Sequence, residues 1–109
     1  MDSNKKFLNG TLKTIVLALL KERGKMYGYE ICQLTKEKTQ SNILLTEGAI
    51  YPTLHKLEKE GLIISSREKV NGRTRKYYSL NDSSIKEVDS QILLLSQFTG
   101  HLRALLNLT

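Results

Sequence analysis

Hydrophobic residues recur along the chain in two different periods, and the period separates predicted helices from predicted strands. Apolar positions three and four residues apart predict three helices in the first half of the chain, over residues 8–23, 27–38 and 46–61. Gly24 and Gly61 stand where the first and third of these patterns stop, as is typical of helix ends. Thr46 is a typical N-cap, and Glu47 follows it in the first turn, where the helix dipole favours a carboxylate.

A hairpin of two strands is predicted next, over residues 63–70 and 73–80. The strands flank Asn71-Gly72, a two-residue sequence that strongly favours a tight hairpin turn and therefore sets the register. The predicted pairs are Val70 with Arg73, Glu68 with Arg75, Ser66 with Tyr77, Ser65 with Tyr78 and Ile63 with Leu80. This register places Ile63, Tyr78 and Leu80 on one face, as a side that packs on the core requires. We expect Tyr78 to be packed and Tyr77 to be exposed.

The last segment, residues 82–108, predicts one long helix, because it contains no Pro and a single Gly. Its apolar stripe alternates by three and four residues and comprises Ile85, Val88, Ile92, Leu95, Thr99, Leu102 and Leu106. Such a helix is roughly 39 Å long at 1.5 Å per residue. A body of this size cannot cover that length, so part of the stripe requires another partner.

The amino-acid composition indicates what kind of partner the protein binds and which cysteine chemistry is excluded. The 109 residues correspond to one domain, and 17 Lys and Arg against 11 Asp and Glu give a net charge of +6. A positive surplus favours a polyanion such as nucleic acid, although a merely soluble basic protein has the same balance. The single cysteine, Cys32, excludes an intrachain disulfide and a cysteine-based zinc site. Its role is predicted to be apolar filling, with a redox switch as the alternative.

Neither a membrane nor an enzyme reaction is indicated. The apolar stretch from Leu8 to Leu20 contains polar residues, has no small-residue cleavage site and is too short to span a bilayer, so we expect a cytoplasmic protein. No glycine-rich phosphate loop follows a strand, and no Ser, His and Asp are placed as nucleophile and base. His55 is interpreted as a phosphate or solvent contact rather than a metal ligand, and His101 has no acidic or cysteine partner at metal-ligand spacing. We therefore expect no catalysis, no metal and no cofactor.

The order helix, helix, helix, hairpin, helix predicts a mainly α (α+β) fold, a winged helix-turn-helix with a two-stranded wing and a long C-terminal dimerisation helix. The expected domains are residues 1–81 for DNA binding, including the N-terminal helix, and residues 82–109 for dimerisation. In this fold the third helix enters the major groove and the wing lies along the backbone or the minor groove. The predicted DNA-binding residues are Thr46, Gly48, Ala49, Tyr51, Pro52, Thr53, His55, Lys56, Lys59, Lys69, Asn71, Gly72, Arg73, Arg75 and Lys76.

Two of these residues have a structural alternative. Tyr51 lies at the flank of the third helix, where its hydroxyl could donate to a phosphate or its ring could simply pack at the boundary of the core. Pro52 lies inside the predicted helix, where proline normally causes a kink, but the carbonyl that its ring crowds belongs to Gly48, which has no side chain. Tyr29, on the second helix, is expected in the core.

Three segments of the chain resemble PadR-type transcriptional regulators. They are Met-Tyr-Gly-Tyr-Glu-Ile at residues 26–31, the whole stretch Thr46 to Leu62, and Gly72-Arg73 followed by Arg-Lys-Tyr-Tyr-Ser-Leu at residues 75–80. The short chain with one C-terminal helix is similar to the compact branch of that family. The resemblance implies a cytoplasmic dimer, usually a repressor, that binds a pseudo-palindromic operator. Compact members that sense flat aromatic drugs carry a Trp in the last helix, where this chain has Leu95.

The sequence therefore predicts a sequence-specific DNA-binding regulator, a dimeric repressor of an operator near its own gene, relieved by a small ligand at the dimer interface. The predicted interface residues are Leu8, Leu12, Ile15, Ile92, Leu95, Phe98, Thr99, Leu102 and Leu106. Thr99 either lines a gap for a ligand or only sets the helix register. The alternatives are a winged-helix protein-interaction module without DNA binding, and a regulator without any ligand that responds to its own concentration.

Overall fold

A computed structural model describes residues 5–108. Its elements are α1 (Lys5–Leu8), α2 (Leu12–Arg23), β1 (Lys25–Tyr27), α3 (Gly28–Lys38), α4 (Glu47–Lys59), β2 (Ile63–Val70), β3 (Arg73–Leu80) and α5 (Ile85–Leu105). The architecture is helix-rich, with one antiparallel sheet of strand order β1-β3-β2 and a long last helix. The predicted winged helix-turn-helix fold is confirmed.

The first predicted helix is wrong at its N-terminal end, because the chain turns between α1 and α2. The Thr11 N–H donates to the Leu8 carbonyl at 3.0 Å, and the Thr11 hydroxyl donates to the Phe7 carbonyl at 3.1 Å. Asn and Gly favour turns over helix interiors, and Asn9-Gly10 forms the middle of this turn. Leu8, a predicted interface residue, therefore lies on α1 rather than on α2.

The wing pairs in the predicted register, from Val70 opposite Arg73 to Ile63 opposite Leu80. A third strand, β1, was not predicted and pairs with β3 through Met26 opposite Tyr78. Because β1 occupies Lys25–Tyr27, α3 begins at Gly28, one residue later than predicted. A strand of three residues is too short to produce a recognisable period.

The core lies between α2, α3, α4 and the inner face of the sheet, which is the face that carries Tyr78. Its fully buried side chains are Val16, Leu17, Leu20, Ile31, Ile50, Leu54, Leu57, Ile63, Tyr78 and Val88. The predicted stripe of α4, Ile50, Leu54 and Leu57, is thus wholly inside. Tyr29 is half exposed, at 50%, so its placement in the core was wrong.

The last helix packs on α2 only through its first turns. A short 3-10 turn occupies Asp82–Ser84, and α5 then ends at Leu105, three residues short of the predicted end. Val88 is fully buried, Ile92 packs partly against the core, and Lys21 of α2 forms an ion pair with Asp89. Every described residue from Ser96 onward is exposed, so the second half of α5 projects from the body of the chain.

Candidate nucleic-acid interface

Helix α4 presents a solvent-exposed face opposite its buried stripe. The Thr46 hydroxyl accepts the Ala49 N–H at 3.1 Å, which confirms the predicted N-cap. The exposed face carries Gly48, Ala49, Pro52, His55, Lys56 and Lys59. The helix continues through Pro52, whose missing N–H leaves the exposed Gly48 carbonyl without its usual helical donor. The start of this face is therefore small and apolar, and its end is basic.

Tyr51 stands at the flank of α4, half-buried, with its ring packed partly against the core. Its hydroxyl donates to the Glu47 carboxylate at 3.3 Å, and burial raises the pKa of Tyr51, so the group remains a donor at neutral pH. The ring reaches this position only because α3 begins with glycine. A Cβ on Gly28 would lie 2.8 Å from the Tyr51 hydroxyl oxygen. The hydrophobic pattern contains no signal for this contact.

Thr53, the last of the α4 candidates, is half-buried beside a groove between the start of α2 and α4. The groove has a volume of about 310 Å³, and Lys13 and Lys56 also line it. Lys13 is ion-paired with Glu60 at 2.7 Å. Lys56 lies on α4 and is exposed, so it is the lysine of this groove that we consider for contact with DNA.

The wing turn has the geometry that its sequence predicted. Asn71 and Gly72 have φ of 51° and 78°, as the type I′ hairpin turn requires. Lys69, Asn71, Gly72 and Arg73 are all exposed at this tip. Arg67, which was not predicted as a site residue, is exposed on the same strand face as Lys69. The two-residue period of β2 contains the signal that would have identified it.

Arg75, by contrast, lies opposite Glu68 within the wing, and its side chain contacts β1 rather than extending toward the wing tip. Its guanidinium lies 4.5 Å from the centroid of the Tyr27 ring, and the Tyr27 and Tyr77 rings meet edge to face at 5.4 Å. A hydrogen bond to Tyr77 is the main cause that raises the pKa of Arg75. Tyr77, predicted to be exposed, is half-buried in this cluster on the outer face of the sheet.

Lys76 is also engaged within the chain. Its ammonium lies 3.5 Å from a carboxylate oxygen of Glu58 on α4 and 5.4 Å from the centroid of the Tyr78 ring. The predicted DNA-binding residues of the wing thus divide into an exposed tip and two internally paired side chains in the middle of β3.

The predicted interface residues divide in a similar way. Leu12, Ile15 and Ile92 pack partly against the chain's own core, and Leu95 is half-buried. Phe98, Leu102 and Leu106 are exposed by 54%, 39% and 64%, and Leu94 and Leu105 extend the same apolar surface. Thr99 is exposed and donates its hydroxyl to the Ser96 carbonyl at 2.7 Å, within its own helix.

Cys32 lies on α3 and is 8% exposed, as the prediction of a packing role requires. Burial raises the pKa of its thiol, so the nucleophilic thiolate is scarce at neutral pH. We expect iodoacetamide to alkylate Cys32 at least tenfold more slowly in the folded protein than in denaturant, as measured by mass spectrometry. Equal rates would contradict the packing role and favour a redox-reactive thiol.

Within residues 5–108, no three His, Cys, Asp or Glu side chains form a group that could hold a metal ion. In the same part of the chain, no helix has the length and apolar character needed to cross a membrane. His55 and His101 are both exposed.

Known proteins with similar sequences and structures are transcriptional regulators. The family model described as the transcriptional regulator PadR-like family matches residues 16–89, more than half of the chain. A transcriptional regulator from Clostridium thermocellum has 28% sequence identity and a TM-score of 0.76, over 94% of this chain and 95% of its own. Bacillus subtilis PadR, solved in complex with operator DNA, has 32% identity and a TM-score of 0.65, over 74% of this chain and 46% of its own.

Among curated proteins, the transcriptional regulator Rv3488 of Mycobacterium tuberculosis is 42% identical over 45 residues. That alignment covers 41% of this chain and 42% of Rv3488. The similarity therefore extends over less than half of this relative's length.

Proposed function

Because the chain belongs to the transcriptional regulator PadR-like family, we propose that it binds operator DNA as a homodimer and represses transcription from a site near its own gene. The observation that carries this proposal is the exposed face of α4, which is small at its start and basic at its end, beside a wing with an exposed basic tip. An exposed basic surface of this kind favours DNA over the alternative of a protein-interaction module, which has no need of it.

In the proposed complex, the start of α4 enters the major groove. Gly48, Ala49 and Pro52 can touch thymine methyl groups but offer no side chain for bidentate hydrogen bonds to bases. His55, Lys56 and Lys59 follow along the groove, Thr46 and Thr53 flank it, and the Tyr51 hydroxyl turns from Glu47 to a phosphate. Much of the sequence discrimination then comes from half-site spacing and DNA shape.

Dimerisation is proposed through the projecting half of α5, which has too much exposed apolar surface for a monomer in water. A two-fold dimer sets its recognition helices about one turn of DNA apart, roughly 34–36 Å, which fits a pseudo-palindromic operator. A small molecule between the paired helices near Leu95 and Thr99 would change this separation and release the DNA. The proposed setting is the cytoplasm.

The test is an electrophoretic shift with DNA from immediately upstream of the coding region, repeated across a range of salt concentrations. We expect a shifted complex whose log affinity falls linearly with log salt, with a slope near −0.9 per phosphate neutralised. Arg73→Ala, at the exposed wing tip, should weaken binding to all sequences alike and reduce the slope by about one phosphate. Lys86→Ala, on the first turn of α5, is the matched loss of one positive charge and should leave the slope unchanged. Binding that does not respond to salt would contradict the proposal.

A further inference from the structure

We propose that Glu58 is a positioning residue that holds the wing against the recognition helix α4, and that Lys76 serves this link rather than a DNA phosphate. The inference rests on the proposed function, since it concerns how the two DNA-contacting elements are aligned. Glu58 was not among the site residues predicted from the sequence.

Each oxygen of the Glu58 carboxylate binds a different strand of the wing. The hydroxyl of Ser65 on β2 donates to Oε2 at 2.6 Å, and the ammonium of Lys76 on β3 lies 3.5 Å from Oε1. All three side chains are half-buried. The bond from Ser65 lowers the pKa of Glu58 and the charge of Lys76 lowers it further, so the carboxylate is ionised at neutral pH.

The wing has a second attachment to α4 only a few residues along the chain. Gly61 has a φ of 81°, and the Leu62 N–H donates to the Leu57 carbonyl at 3.0 Å, so the chain leaves α4 by a tight turn into β2. The body also holds the base of the wing through β1, which pairs with β3, and through buried side chains of both wing strands. The motion left to the wing is a rotation of its tip about this base. The link from Glu58 to both strands opposes that rotation from the side of α4.

The geometry makes this rotation matter for DNA binding. The wing turn at Asn71-Gly72 is six residues beyond Ser65, which is about 20 Å at 3.3 Å per residue. A rotation of about 10° at the base would then displace the tip by about 3 Å, which is as long as a hydrogen bond. Loss of the Glu58 link should therefore misalign the wing tip with the α4 face while leaving both elements folded.

A purely electrostatic role and a positioning role for Glu58 predict opposite effects of its removal on operator affinity. Removing a carboxylate beside a DNA-binding surface should strengthen DNA binding if only charge matters. If Glu58 positions the wing, Glu58→Ala should instead weaken operator binding about tenfold. Glu60→Ala is the matched control, because Glu60 lies two residues away and is paired with Lys13 of α2 rather than with the wing. We expect Glu60→Ala to bind operator DNA no more weakly than the unmodified protein.

Substitution of Lys76 provides a second test, in which both the operator affinity and its salt dependence are measured. Lys76→Ala should weaken binding without reducing the salt slope, and should add no further loss in a Glu58→Ala background. A slope reduced by about one phosphate, or a further loss in the double variant, would assign Lys76 to a phosphate and overturn its part of the proposal. Operator binding by Glu58→Ala that equals or exceeds that of the unmodified protein would overturn the role of Glu58.

Amide hydrogen exchange on the free protein decides the structural part without DNA. We expect protection of the Leu62 amide, whose hydrogen bond to the Leu57 carbonyl joins the wing to α4, to fall at least tenfold in Glu58→Ala and to stay unchanged in Glu60→Ala. Unchanged protection in both variants would overturn the positioning role, whereas an unmodified protein that binds no operator would overturn only the proposed function. If Glu58→Ala does not fold, Glu58→Gln, which can still accept from Ser65 but carries no charge, provides both readouts.

Discussion

Leu102→Glu is expected to lower operator affinity at least about 100-fold by separating the proposed dimer. Leu102 lies on the projecting half of α5, where Phe98 and Leu106 are also exposed. A carboxylate buried there would meet its symmetry mate across an apolar contact, at the cost of its hydration. A monomer holds one half-site instead of two and loses the gain of simultaneous engagement, which is commonly 10²–10⁴-fold.

Sedimentation velocity should show the unmodified protein as a dimer at micromolar concentration and Leu102→Glu as a monomer, or as an unfolded chain if no folded monomer exists. Leu95→Glu should behave in the same way, although Leu95 is half-buried within its own chain. Gln97→Glu, on the opposite side of α5, adds the same charge and should preserve both the dimer and DNA binding. A folded monomer of the unmodified protein that shifts DNA with full affinity would contradict the dimer and its half-site spacing.

Substitutions at Gly48 are expected to separate stability from DNA binding. A Cβ added there meets no atom within 4 Å, and the residue lies inside α4, so Gly48→Ala should stabilise the fold by about 0.5–1 kcal/mol. In the proposed complex the same open space is where the helix backbone approaches the bases. Gly48→Leu should therefore keep or raise the melting temperature while weakening operator binding at least tenfold, on the order of 1.4 kcal/mol.

Gly100 offers a matched control in α5, since a Cβ there also meets no atom within 4 Å. Gly100→Leu places the same side chain on an exposed helix face far from α4, so calorimetry should show a comparable gain in stability and the shift assay unchanged affinity. Equal operator affinities for Gly48→Leu and the unmodified protein would exclude close approach of α4 to the major groove.

Local rules were sufficient for much of the fold. A two-residue turn at Asn71-Gly72 permits one register, and the alternation of Ile63, Tyr78 and Leu80 permits one inner face, so the wing strands were predicted to the residue. The stripe of α4 was equally predictable, because a helix turns its apolar positions to the core at a constant angle. Once the buried stripe of α4 was identified, its exposed face could be predicted as the opposite side of the helix, without knowledge of the neighbouring elements.

By itself, then, the sequence determined the order of the four long helices and the two wing strands, the wing register, the inner and outer faces of α4 and the resemblance to PadR-type regulators. Only the tertiary structure decided that Arg75 stacks on Tyr27, that Lys76 pairs with Glu58, and that Gly28 makes room for Tyr51. It also decided that Leu12, Ile15 and Ile92 are partly covered by their own chain. The physical reason is that periodicity records the direction in which a side chain points, whereas the distant residue that it meets depends on how the elements pack together.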